Sequence, residues 1–150
     1  PALKAMYKAF EENGVKLPLA NNGTVTDETR HEAGLAVQKE IFGSAIDKMN
    51  ASAPADQKHI NDNLSANCFG DFYTRKGLDL KERELITFTA IIAMGGCEPQ
   101  AKAHVTGNLA VGNTRKQLLD AVTIALPYIG YPKTLNAIAA INSIVPAKEQ

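Results

Sequence analysis

The hydrophobic residues of this chain recur mainly every three or four positions, which is the spacing of amphipathic α-helices. The first segment illustrates it with Leu3, Met6, Tyr7 and Phe10. No stretch of useful length alternates apolar and polar residues as a half-buried strand would. The pattern therefore predicts an all-α fold, a bundle of about six to eight helices. The expected helices cover residues 2–13, 26–42, 44–49, 56–72, 79–94, 99–111, 114–130 and 132–145.

Residues 84–104 are the stretch on which the other helices are expected to pack. The apolar run after Glu84 leaves no polar stripe, so its helix should be buried on nearly every side. Gly95 and Gly96 end that helix, because glycine accepts the left-handed turn that follows a helix C-terminus. Pro99 suits the first turn of the next helix.

Three residues near this turn can carry chemistry. Cys97 is expected at a helix N-terminus, where free N–H groups favour a thiolate. Gln100 and His104 lie four residues apart and share one helix face. Glu84 begins the preceding helix, so an antiparallel hairpin separates it from Cys97 along the axis. Another helix, from this chain or another subunit, would have to complete a site there.

Composition narrows the class of protein. The 150 residues carry 16 basic and 16 acidic side chains, and this zero net charge gives no reason to expect nucleic acid or an anionic membrane as partner. The longest uncharged run is too short to span a bilayer, and no signal-peptide pattern is visible. We expect an N-terminal helix and loop at residues 1–25, followed by one domain at residues 26–150.

The two cysteines, Cys68 and Cys97, lie far apart in the sequence. They make neither a disulfide framework nor a zinc-binding pattern, so we expect no metal site and a reducing, cytoplasmic environment. Cys68 falls on an apolar helical face and is expected to be a core residue.

Several motifs follow one another in an informative order. Residues 30–43 read Arg-His-Glu-Ala-Gly-Leu-Ala-Val-Gln-Lys-Glu-Ile-Phe-Gly. Further on come residues 73–85, then His-Val-Thr-Gly at 104–107, then Tyr-Ile-Gly-Tyr-Pro at 128–132. Together they resemble the carboxymuconolactone decarboxylase family, over about residues 28–146. The resemblance implies an all-α fold that assembles as trimers or hexamers, with sites near subunit contacts.

The resemblance also implies one of two chemistries. Decarboxylase-type members open and decarboxylate a lactone acid. Members like alkyl hydroperoxide reductase D use a glutamate, two cysteines and a histidine as a proton relay and redox dithiol. The corresponding positions here are Glu84, Cys97, Gln100 and His104, so glutamine replaces the second cysteine.

Each candidate residue has a functional and a structural interpretation. His104 is a general acid/base or a hydrogen-bonded core histidine. Cys97 is a nucleophile or a small apolar residue at a helix corner. Glu84 is a base for either residue, a substrate ligand, or a solvated partner of a neighbouring lysine or arginine.

A second group of residues is expected to bind the substrate. A lactone acid is anionic, so Arg75 is a candidate for a bidentate carboxylate clamp, with Arg30 and Lys102 as rivals. Gln100 and Tyr128 are further candidates, although the simpler interpretation of Tyr128 is a core tyrosine with one satisfied hydrogen bond.

Three functions stay open at this point. The first is a decarboxylase-like enzyme in which His104 donates a proton and the substrate is its own electron sink, so no cofactor is required. The second is a thiol peroxidase using Cys97, with Glu84 and His104 as relay. The third is a non-catalytic oligomeric binding protein.

Overall fold

The computed structural model describes residues 1–147 of the chain, and within them all regular structure is helical. The elements are α1 (Ala2–Glu12), α2 (Arg30–Phe42), α3 (Ala45–Ser52), α4 (Lys58–Asn63), a π-helical segment (Leu64–Tyr73), α5 (Leu80–Met94), α6 (Glu98–Ala110) and α7 (Arg115–Ile144). The predicted all-α class and helix number are confirmed. None of the described helices is both long and apolar enough to cross a membrane.

Helices α5, α6 and α7 enclose the larger of two cores. Its buried members share small or branched apolar side chains, with one aromatic ring: Phe88, Ile92, Ala101, Val105, Leu118, Val122, Ala137, Ala140 and Ile141. Two capping boxes fix where two of these helices begin. Asp79 accepts from the backbone N–H of Glu82 at 2.9 Å, and Thr114 caps α7 through Gln117 in the same way.

Helix α7 contains the break that the sequence predicts. Gly130 has φ 75° and ψ 167°, so the backbone leaves the helical region there and resumes at Pro132. A positive φ at this point favours glycine. Pro127 also lies inside α7, but the non-helical backbone is at Gly130, three residues later.

Helix α2 and the π-helical segment cross at unusually close range. A Cβ on Gly34 would overlap the carbonyl oxygen of Ser65, and one on Gly70 would overlap that of Arg30. Both neighbours are backbone atoms, so neither can move aside cheaply. Next to the crossing, buried Ser65 donates a 2.7 Å hydrogen bond to Gln38. This crossing carries a second, smaller core made of Ile41, Phe69 and Tyr73.

The helix predicted at residues 56–72 is present, but its type differs along its length. The structure has short α4 followed directly by a ten-residue π-helical segment that ends at Tyr73. Residues 65, 69 and 73 are all buried, so their four-residue spacing marks the inner side of this segment. Turns of the π type are frequent at functional sites.

Candidate functional site

Glu84 lies on the second turn of α5, where the two cores meet, and its side chain is 0% exposed. This excludes the interpretation as a solvated partner of nearby surface cations. Arg83 turns the other way and donates to the carbonyl oxygens of Phe72 and Arg75, at 2.8 and 2.5 Å. A buried carboxylate is costly unless it is hydrogen-bonded, so the contacts of Glu84 define the site.

His104 supplies the first of these contacts. Its Nδ1 lies 2.9 Å from Glu84 Oε2, and its side chain is 14% exposed. The edge of Phe42 packs against the imidazole, with ring centroids 5.5 Å apart. With a carboxylate facing Nδ1, that nitrogen carries the proton and Nε2 is left as the free acceptor.

Tyr73, at the end of the π-helical segment, supplies the second contact. Its hydroxyl donates to Glu84 Oε1 at 2.8 Å and lies 2.6 Å from Thr87 Oγ1. One phenol has one proton, so Thr87 is the donor in the latter contact. Burial, followed by the charge of Glu84, raises the pKa of Tyr73 well above its ordinary value. The phenol therefore stays protonated and keeps Glu84 hydrogen-bonded.

Helix α6 can approach Glu84 because of Gly107. A Cβ at this position would lie 2.5 Å from Glu84 Oε2 and 2.9 Å from the ring of Phe42. One residue further on, buried Asn108 donates to the carbonyl oxygens of Glu84 and His104 at 3.0 and 2.7 Å. These contacts fix α6 against α5 at the level of the carboxylate–imidazole pair.

Tyr73 leads to a prediction about alkaline pH. Its pKa is raised in the folded chain, so its contribution to stability is complete below the unfolded value of about 10 and is lost as pH rises beyond it. We expect the free energy of unfolding, from urea titrations, to fall between about pH 9 and about pH 11. Tyr73→Phe should flatten this fall, whereas exposed Tyr128→Phe should leave it unchanged. Equal pH dependence in all three proteins would contradict the assignment.

Cys68 proves to be close to this network. It packs on the smaller core, and burial, then the charge of Glu84, raises the pKa of its thiol. The thiol is therefore held neutral, which agrees with its predicted role as a core residue.

The sequence analysis did not name Tyr73, Thr87 or Gly107 as candidate site residues. The four-residue steps from Ser65 to Tyr73 were the available signal for the first of them.

Cys97 occupies the predicted position at the start of α6, but it lies away from the carboxylate–imidazole pair. It lies seven positions before His104, an axial rise of about 10 Å along the helix. The thiol is half-buried beside a small cavity of about 20 Å³ that Lys133 and Asn136 also line. Lys133 donates to the Ala93 carbonyl at the end of α5, and Asn136 to Glu98.

The predicted substrate-binding residues do not gather at one place. Gln100 is exposed one turn before His104, and Arg75 is half-buried after the π-helical segment. Tyr128 is 86% exposed and lines a groove between α5 and α7, away from Glu84. Of the rival cations, Arg30 pairs with Asp71, and Lys102 is exposed. No cluster of three potential metal ligands occurs among residues 1–147.

Comparison with known proteins agrees with the motifs. The model of the carboxymuconolactone decarboxylase family matches residues 60–143, more than half of the chain, and the match includes Tyr73, Glu84 and His104. The chain therefore belongs to the carboxymuconolactone decarboxylase family. Membership supports a carboxymuconolactone decarboxylase-like function at the level of the family.

Two relatives extend the similarity beyond that match. An uncharacterised 15.0 kDa protein of the nqo9–nqo10 intergenic region of Paracoccus denitrificans is 28% identical over 107 residues, 71% of this chain and 75% of that protein. A 4-carboxymuconolactone decarboxylase of Acinetobacter baylyi is 24% identical over 109 residues, 72% of this chain and 81% of that enzyme.

Proposed function

We propose that this chain is a general acid/base enzyme that acts on a small anionic molecule of the lactone-acid type. The observation that carries the proposal is the hydrogen bond between His104 Nδ1 and buried Glu84 Oε2. It orients the imidazole and leaves Nε2 as the ring nitrogen that faces away from the carboxylate. The partial exposure of His104 leaves its ring in reach of a small molecule. The similarity to a 4-carboxymuconolactone decarboxylase suggests the substrate class.

The proposed reaction is a decarboxylation. The bond between a ring carbon and its carboxylate breaks, CO2 leaves, and the electron pair passes into the conjugated carbonyl as an enolate. His104, after taking up a proton from solvent on Nε2, delivers that proton to the carbon and returns to its neutral form. Glu84 stabilises the imidazolium, and Tyr73 holds the second oxygen of that carboxylate. The substrate itself accepts the electron pair, so the proposed step needs no cofactor.

Binding of the substrate carboxylate calls for a cation or amide donors. Gln100 is placed one turn from His104 on the same side of α6, and Lys102 lies on the same helix. Arg75 remains a candidate as a bidentate clamp. Tyr128 lines the groove between α5 and α7, and neither Glu84 nor His104 lines that groove. Tyr128 would therefore bind a substrate only at a site separate from His104.

Thiol peroxidase activity through Cys97 is the alternative. It has in its favour a free, half-buried thiol at a helix N-terminus. Against it, the contacts of Glu84 go to His104 and Tyr73, and no hydrogen bond in the described chain joins Cys97 to them.

We also propose a cytoplasmic location. The support is that Cys68 and Cys97 are both unpaired, as is usual in a reducing environment.

We further propose that the protein is a homo-oligomer, a trimer or hexamer. The support is a large apolar face on α5 and α7, where Ile86, Ile124 and Tyr128 are 55, 73 and 86% exposed. A contiguous exposed apolar surface of this kind marks an interaction site.

The deciding experiment is a paired assay of the purified protein. A series of unsaturated γ-lactone carboxylic acids is tested for CO2 release, and hydrogen peroxide and an alkyl hydroperoxide are tested with dithiothreitol as reductant. We expect CO2 release that is retained in Cys97→Ser. Peroxide reduction that is lost in Cys97→Ser, without CO2 release, would overturn the proposal in favour of the thiol enzyme. Inactivity in both assays, together with binding of an unreacted acid, would favour a binding protein.

A further inference from the structure

Residues 1–21 form an arm that has the sequence of a packing helix but contains no buried residue, and Met6 and Tyr7 share an open cavity with residues 17–19 of the same arm. In α1 the apolar side chains form one stripe, Leu3, Met6, Tyr7 and Phe10, and none of its eleven residues is buried. Leu3 is 64% exposed and Tyr7 46%. Asn22 and Thr24 provide the first hydrogen bonds between the beginning of the chain and the body, through Lys76 and Thr74. The family match begins only at residue 60, so the arm lies outside it.

The groove between α5 and α7 is the complementary surface. Its volume is about 680 Å³, and apolar side chains make up most of its lining. Along α5 it extends from Leu85 to Ala93, a length of about 12 Å. The stripe on α1, from Leu3 to Phe10, rises about 10 Å. A convex apolar helix and an open apolar groove of the same length are thus present on one chain, and each is exposed to water.

The area that the stripe and the groove would bury indicates how many such contacts a stable interface needs. Large apolar and aromatic side chains bury about 150–250 Å² when fully covered, so at their present exposure the stripe side chains would hide on the order of 300 Å² per arm. An equal area of groove is covered at the same time. One arm in one groove is therefore below the range of stable interfaces, on the order of 1,200 Å² in total. Each chain reaches that range when it both gives an arm and receives one.

We propose that α1 docks its stripe in the α5–α7 groove of a second copy, so that the chains assemble by exchanging arms. Reciprocal exchange in a two-fold pair puts two arms and two grooves in one interface, so every groove is filled and every stripe is covered. The proposal concerns assembly and does not depend on the reaction proposed for His104.

Cross-linking between two differently labelled proteins tests the contact. In a Cys68→Ser, Cys97→Ser background, one protein carries Tyr7→Cys and the other Ile124→Cys. We expect a disulfide-linked dimer when the two are refolded together and oxidised, and little when either is oxidised alone. The matched control replaces Tyr7→Cys by Ala5→Cys, which lies on the opposite face of α1. Equal cross-linking by the control would overturn the proposed contact.

Light scattering of the full chain tests the consequence for assembly. We expect Tyr7→Glu and Ile124→Glu to shift the mass toward that of the monomer, and Ala5→Glu to keep the wild-type mass. An oligomer of unchanged mass in Tyr7→Glu would overturn the proposal while leaving the proposed enzyme activity untouched. A monomeric wild type would overturn it as well, whether the stripe then covered its own groove or bound vesicles of anionic lipid.

Discussion

Replacing His104 by alanine is expected to lower kcat by about 10²–10⁴-fold on any lactone acid that the wild type decarboxylates, because the proton donor is removed. Glu84→Gln should also lower kcat strongly, since a neutral amide neither stabilises the imidazolium nor fixes the proton on Nδ1. The measurement is the rate of CO2 release at saturating substrate, with folding checked by circular dichroism.

The chain offers matched controls for this result. His31 and His59 are exposed, and His31 lies 3.5 Å from the exposed carboxylate of Asp62. Alanine at either position should leave kcat within about twofold, as expected for exposed side chains away from structural features. If His104→Ala retained full activity in a folded protein, general acid catalysis by this residue would be wrong. Equal losses in all three variants would point to an indirect effect.

Gly34→Ala is expected to cause the largest loss of stability among single substitutions at the α2 crossing. The new methyl group would overlap the Ser65 carbonyl and lie 2.5 Å from the Gly70 nitrogen, so two helices must separate. Overpacking of this kind costs about 1–3 kcal/mol and sometimes more, which outweighs the gain of up to about 1 kcal/mol from alanine's helix propensity. The free energy of unfolding from urea titration gives the result directly.

Gly23→Ala is the control for that experiment. Gly23 lies in a loop where the nearest neighbour of a new Cβ is the flexible side chain of Asn21, at 3.1 Å. Its stability should change by no more than about 0.5 kcal/mol. A Gly34→Ala protein as stable as the wild type would mean that the helices cross at a larger distance than described, and Tyr73 would then lie elsewhere relative to Glu84.

The helices were predictable because their signals are local. Asp79 and Thr114 begin their helices with capping boxes. Gly130 interrupts α7 at the position where the sequence predicts the end of one helix and the start of the next. The π-helical segment was not predictable, since its cause is distant in sequence. It accompanies the Gly34–Gly70 crossing, and a four-residue apolar spacing fits either kind of helix.

The candidate site was predictable only in part, for a related reason. Motif order singled out Glu84 and His104, and the structure brings these two together at 2.9 Å. Cys97 was grouped with them by sequence proximity, but helical rise carries it about 10 Å from His104. Tyr73 was missed because its role depends on where the π-helical segment ends in space. Local sequence determines local geometry, whereas the buried carboxylate of Glu84 takes its hydrogen-bond partners from two other elements, the π-helical segment and α6.

The tautomer of His104 is the most direct test of the central claim, that Glu84 holds Nδ1 and frees Nε2 for proton transfer. The chain has only three histidines, so nitrogen-15 NMR spectra of wild type and His104→Ala assign the ring by difference. For neutral His104 we expect the proton on Nδ1 and an unprotonated Nε2, and a redistribution between the nitrogens in Glu84→Gln. A proton found on Nε2 in the neutral ring, unchanged by Glu84→Gln, would contradict the account.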